Sequence, residues 1–130
     1  MDYTLEEAQL DEIEIILQKD FIEVGVQCVC LIDVAGNVLS NLDNGKINFD
    51  VYSLAALSAG NYGAVSAIAQ IIEEEEFSLL FHKGKKRNIY FSKVAADFLL
   101  VLIFGKETSL GFLRLKVAEA VKKIKRILQS

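Results

Sequence analysis

Leu10, Ile13, Leu17 and Phe21 recur at helical spacing with Ile16 beside them, while Glu6, Glu7, Asp11, Glu12 and Glu14 take the other side and the first turns. An apolar stripe every three or four residues predicts an amphipathic helix over residues 2–22, and acids near its start suit the positive end of the helix dipole. Residues 26–33 (VQCVCLID) are rich in β-formers and predict a strand. Ala35, Gly36 and Asn37 supply turn chemistry, and Val38, Leu39 and Ser40 continue as the second arm of a hairpin that ends at Asp43, Asn44 and Gly45.

Asp50 is a good N-cap for a second helix. Residues 51–72 hold no charge, and four glutamates come next at 73–76. As a helix, 22 residues would run about 33 Å at 1.5 Å per residue. A strand is predicted over 77–82, a turn over 83–86 and a returning strand over 87–93, then a second turn at 95–97. Residues 98–104 (FLLVLIF) are apolar throughout, which predicts a central strand covered on both faces. Residues 110–128 predict a last helix, with Leu113, Val117, Ala120, Val121, Ile124 and Leu128 as its stripe and Arg114, Lys122, Lys123, Lys125 and Arg126 on the other side.

The order is α-ββ-α-βββ-α. Short connections make the five strands one antiparallel sheet, and strands this apolar need helices on both faces. The expected fold is therefore an α/β (α+β) sandwich in a single domain spanning 1–130. Residues 1–50 carry eleven acids and two bases, residues 51–81 four acids and no base, and residues 82–130 twelve bases and three acids. The acidic first helix and the basic last helix are expected side by side on one face, with the middle helix on the other. The net charge of −4 argues against a nucleic-acid partner. The acidic N-terminus is no secretory signal, so two reduced cysteines in a cytoplasmic protein are expected.

The middle helix is the informative element. Leu54, Leu57, Val65, Ile68 and Ile72 fall along one side and are expected to cover the sheet. The other side carries Tyr52, Ala56, Ala59, Gly60, Gly63, Ala67 and Gln70, without a charge for six turns. A solvated helix face normally carries Lys, Glu or Arg, and each glycine costs about 1 kcal/mol against alanine. These residues are therefore expected to meet another protein. A membrane span is long enough in residues, but Asn61, Gln70, two tyrosines and several serines weaken it; a helix buried wholly in one subunit needs more covering chain than 130 residues leave.

Together these pieces resemble the roadblock/dynein-light-chain family, in its bacterial, MglB-like branch. The resemblance rests on the CLIDVAGNV hairpin at 30–38, the small-residue helix 50–73, LFHKG at 80–84 with NIYF at 88–91, LLVLI at 99–103 and LGFLRL at 110–115. It implies a profilin-like sandwich. It implies a homodimer in which the third strands, here 77–83 with Phe77, Leu79, Phe81 and Lys83, pair edge to edge; unpaired, such an edge invites aggregation. It also implies that the long helices of both subunits form a platform for a small Ras-like GTPase. No regulatory tail of the kind found in some bacterial members is expected beyond the last helix, which weighs against nucleotide-exchange activity.

Catalytic chemistry is not expected. No Walker-type loop or Gly-x-Ser-x-Gly elbow occurs. Cys28, Cys30 and His82 fall short of a zinc set, so neither metal nor cofactor is expected. Lys83, Lys85, Lys86 and Arg87 form a basic patch that suits a soluble hairpin tip or an anionic partner. Stimulation of GTP hydrolysis would come from ordering the GTPase's own switch residues. The alternatives are a pure scaffold indifferent to nucleotide, and a small ligand-binding or enzymatic domain, which would need convergent titratable groups that the sequence does not offer.

Overall fold

The computed structural model describes residues 5–77 and 79–129; residues 1–4, 78 and 130 lie outside that description. The elements are α1 (Glu7–Asp20), a 3-10 turn (Ile22–Val24), β1 (Cys28–Asp33), β2 (Val38–Asp43), α2 (Val51–Ile71), β3 (Leu80–Lys83), β4 (Asn88–Ala95), β5 (Phe98–Phe104) and α3 (Leu110–Gln129). The strands form one antiparallel sheet in the order β2-β1-β5-β4-β3.

Every side chain of β5 is buried. Side chains alternate across a strand, so Phe98, Leu100, Leu102 and Phe104 feed one core, while Leu99, Val101 and Ile103 feed the other. On the first face lie α1 and α3, which bury Ile13, Leu17, Leu113, Val117, Ala120 and Ile124. Lys123 Nζ sits 3.3 Å from Asp20 Oδ2, and Gln9 Nε2 donates to the Ile127 carbonyl at 2.9 Å. A partly exposed ion pair contributes at most about 1 kcal/mol, against about 1.5–3 kcal/mol for each large apolar side chain buried. The opposite charges of the two helices orient them, and the packing holds them.

The expected boundaries shift in several places, and β1 begins at Cys28 rather than at 26. The helix expected over 2–22 is described from Glu7 and stops at Asp20; residues 2–4 lie outside the description. Phe21 turns into the core with its backbone out of the helical region, and Gly25 at φ 106° closes the following turn. β2 runs on to Asp43 because Cys28 and Val29 of β1 still pair with Asp43 and Leu42. β4 extends to Ala95, leaving residues 96 and 97 to turn the chain. β3 begins at Leu80 rather than at 77, and residue 78 of the expected strand lies outside the description. Its first partner on β4 is Phe91, so pairing starts only there.

Two local devices fix the connections. Asp33 Oδ1 accepts from the backbone N–H of Ala35 at 3.0 Å and of Asn37 at 2.8 Å, and Oδ2 accepts from the Asn37 side chain at 2.9 Å. Partial burial alone would raise the Asp33 carboxyl, but the donors of Asn37, Ala35 and Gly36 outweigh it and hold the group below its ordinary value. The end of α2 closes with the Glu73 N–H on the Gln70 carbonyl at 3.2 Å and the Glu74 N–H on the Ala69 carbonyl at 2.8 Å. That is the Schellman pattern, and it places Glu73 at φ 63°, the position that favours glycine.

Glu73→Gly is expected to stabilise the fold by about 1 kcal/mol, since an L side chain in the left-handed region costs roughly that; the urea midpoint measures it. Because the Asp33 carboxyl is depressed in the folded state, its contribution is complete above the ordinary aspartate range near about pH 4 and is lost as pH falls through the lower folded value. The wild-type urea midpoint should therefore drop more steeply in acid than that of Asp33→Asn, and parallel curves would disprove the assignment.

Candidate functional site

The second face of the sheet is covered by α2, and there the orientation differs from the expectation. The side chains buried by α2 are small: Ala55, Ser58, Ala59 and Ala69. Val51, Leu54 and Tyr62 close the edges of the same core. Beneath them the sheet already offers Ile32, Phe91, Leu99, Val101 and Ile103. With bulk supplied by the strands, small residues let the helix axis come close. The same closeness appears at the β1–β2 turn, where Gly36 lies at φ 94° and a Cβ would stand 3.0 Å from the Ala56 Cα.

The large residues are consequently turned outward. Tyr52 is 77% exposed, Leu57 74% and Ile71 81%, with Ile68 and Ile72 also more than half exposed. Leu57, Ile68 and Ile72 were expected against the sheet and instead face away from it. Ala59, expected outward, is 8% exposed and packs in the core. Tyr52, Ala56, Gly60, Gly63, Ala67 and Gln70 are all exposed. A Cβ on Gly60 or Gly63 would meet nothing within 4 Å, so the chain itself gives neither glycine a packing reason. Asp50 starts the helix by accepting from the N–H groups of Tyr52 and Ser53 at 3.0 and 3.2 Å, while Ser53 Oγ donates to Oδ2 at 2.8 Å. These bonds hold its carboxyl below the ordinary range.

The exit of α2 continues the apolar surface onto the edge of the sheet. Phe77 is 37% and Leu79 39% exposed, and β3 is an edge strand whose outer side pairs with nothing among the described residues. Phe81 is half-buried and stacks on Phe104 at 6.0 Å between ring centroids. Lys83 is exposed at the strand's end. Phe81 and Lys83 thus lie in the edge strand, with Phe81 packed against the core on the α1/α3 face, while Phe77 and Leu79 precede the strand.

The remaining candidate chemistry stays apart from this surface. Cys28 and Cys30 are buried with their sulfurs 3.8 Å apart, and both thiols donate to Asn41 Oδ1, at 3.5 and 3.3 Å. The hydrogen bond with Cys28, and then burial, push Cys30 well above the ordinary thiol range. His82 is exposed and lies edge-on to Phe91. Among the described residues no group of three His, Cys, Asp or Glu side chains is placed to hold a metal, and no helix is long and apolar enough to cross a membrane.

Comparison with known proteins gives this geometry a context. The Roadblock/LC7 domain model matches residues 13–104. The structure is similar to gliding protein MglB of Thermus thermophilus, at 28% identity and a TM-score of 0.87, with 98% of this chain and 96% of that one covered. It is similar to MglB of Myxococcus xanthus at 33% identity and a TM-score of 0.84, covering 97% and 94%. Another MglB structure, in a tetrameric arrangement, matches at 27% identity and 0.88, covering 98% and 96%. Profilin IA of Acanthamoeba castellanii, 11% identical with a TM-score of 0.57 over 83% and 92%, shares the fold alone and makes the sandwich profilin-like.

The burial pattern separates two residues that the sequence placed together. Gly63→Arg should keep the native far-UV spectrum and a cooperative urea transition, since its side chain enters open space. Ala59→Arg should lose the cooperative transition, because it forces a long cation into a packed core at a cost of several kcal/mol.

Proposed function

The chain belongs to the Roadblock/LC7 domain family, and from that premise we propose that it is a homodimeric, non-catalytic regulator or scaffold that holds a small Ras-like GTPase on the outer face of α2. The observation that carries this reading is the exposed, uncharged surface of Tyr52, Leu57, Ile68, Ile71 and Ile72, interleaved with Gly60, Gly63 and Ala67. Monomeric soluble proteins rarely leave so many large apolar groups contiguous on one helix, and such patches mark protein contacts. The small residues between them let a partner's backbone approach, while the aromatic and aliphatic groups supply the buried area. The dimer is assigned to the rim of Phe77, Leu79, Phe81 and Lys83, because an unpaired edge strand is a template for another strand.

The surface also bears on how turnover would change. No Arg or Lys lies between residues 51 and 72, so α2 carries no side chain to neutralise charge on a transferring phosphoryl group. Stimulation of hydrolysis would then act by ordering the GTPase's own catalytic groups, which lowers a barrier through positioning. The same lack of a cation supports the second reading, a scaffold without effect on turnover.

The test uses a small Ras-like GTPase loaded with GDP or with a non-hydrolysable GTP analogue. Wild type should bind one nucleotide state more tightly, and Gly63→Arg or Leu57→Arg should weaken binding by at least about 100-fold, as loss of a central contact worth about 3 kcal/mol would. Equal binding by wild type and both variants overturns the platform. Turnover that rises on binding supports regulation, and turnover unchanged on binding supports the scaffold.

A further inference from the structure

We infer that this chain sets the register of its own dimer electrostatically: the acidic run 73–76 of one subunit meets the basic hairpin 83–87 of the other across paired β3 edges. The inference rests on the homodimer of the proposed function and specifies its interface.

The charges stand at opposite ends of the same short strand. Four glutamates precede β3 and four bases, Lys83, Lys85, Lys86 and Arg87, end it or come directly after it. Among the described residues, Glu73, Glu74 and Glu75 form no ion pair within the chain, and neither do Lys83, Lys85 and Lys86. Glu76 reaches Lys93 at 3.6 Å, with both side chains well exposed. Arg87 is held inward, donating from Nε to Gln27 Oε1 at 3.1 Å with its guanidinium 5.7 Å from the Phe49 ring centroid. The hairpin that presents the lysines is tight: the Gly84 N–H donates to the Arg87 carbonyl at 3.0 Å, and a Cβ on Gly84 would collide with that same oxygen. Three acids and three bases are thus left without ion-pair partners on either side of an open edge.

Symmetry then decides what they meet. A two-fold dimer presents the same edge twice, so the two β3 strands must run antiparallel. Directly opposed residues share a face of the sheet, so the axis passes through a residue; pairing centred on Phe81 sets Leu80 opposite His82 of the partner subunit and brings residues 73–76 towards the partner's hairpin. A slip that moves the axis towards Lys83 draws the two charged groups out of level. An isolated exposed ion pair is weak, but the two-fold axis makes each contact occur twice, and the like-charge arrangement of a parallel pairing is penalised twice. The screening length is about 8 Å at physiological salt, so the contribution should fade as salt rises.

A charge-exchange experiment tests this. Lys83→Glu with Lys85→Glu and Lys86→Glu makes a subunit acidic at both ends of β3, and Glu73→Lys with Glu74→Lys and Glu75→Lys makes one basic at both ends; circular dichroism checks that each folds. Each variant alone should dimerise at least about ten-fold more weakly than wild type at low salt. Their equimolar mixture should recover wild-type affinity as a heterodimer, read by native mass spectrometry and sedimentation. The wild-type dimer should itself weaken as salt is raised, a readout that needs no variant. A dimeric wild type whose variants associate as tightly as it does, or whose mixed variants show no recovery, overturns the electrostatic register alone. A wild type that stays monomeric overturns the homodimer and this inference with it.

Discussion

The structure depends on a strand that tolerates water on neither side. β5 buries all seven of its residues, and it sits at the centre of the sheet between β1 and β4. A strand of this kind can exist only if both faces of the sheet are sheathed. One face receives α1 and α3, the other receives α2. The chain order reflects that need, since a single helix between the β1–β2 and β3–β4–β5 groups is what remains to cover the second face.

The two layers meet the need in opposite ways. α1 and α3 are ordinary amphipathic helices that push leucine, isoleucine and valine into the core and keep their charges on the outside. α2 meets strands that already fill their side of the core with Phe91, Val101 and Ile103, so it contributes alanine and serine and lies close. The bulk that α2 withholds from the core ends up on its outer surface. Close packing inside and apolar exposure outside are therefore one decision. A helix that fills its own core with large residues would have nothing apolar to offer outside, and this helix offers Leu57, Ile68, Ile71 and Ile72 because the sheet does not need them.

The same logic governs the rim. The Schellman close at Glu73 turns the chain out of α2, and β3 pairs over only four residues before the Gly84 hairpin turns it back. A short edge strand flanked by charge is how soluble proteins limit uncontrolled strand addition. Here the flanking charges differ in sign at the two ends.

The sequence by itself determined the order of helices and strands, the antiparallel sheet, the pairing of α1 with α3, and an uncharged helix with one face exposed. Periodicity and charge carry those, and both are local properties. It did not determine which way α2 faces. In α1 and α3 the charged residues mark the solvent side and so fix the phase, whereas residues 51–72 contain no charge to mark it. Large residues were then the natural choice for the inside, and Ala59 for the outside. Tyr52, Ala56, Gly60, Gly63, Ala67 and Gln70 do face outward and Leu54 does pack on the sheet, but only the tertiary structure turned Leu57, Ile68 and Ile72 out and Ala59 in, because the space above Ile32, Phe91, Leu99 and Val101 is set by distant strands and is filled by Ala55, Ser58 and Ala59.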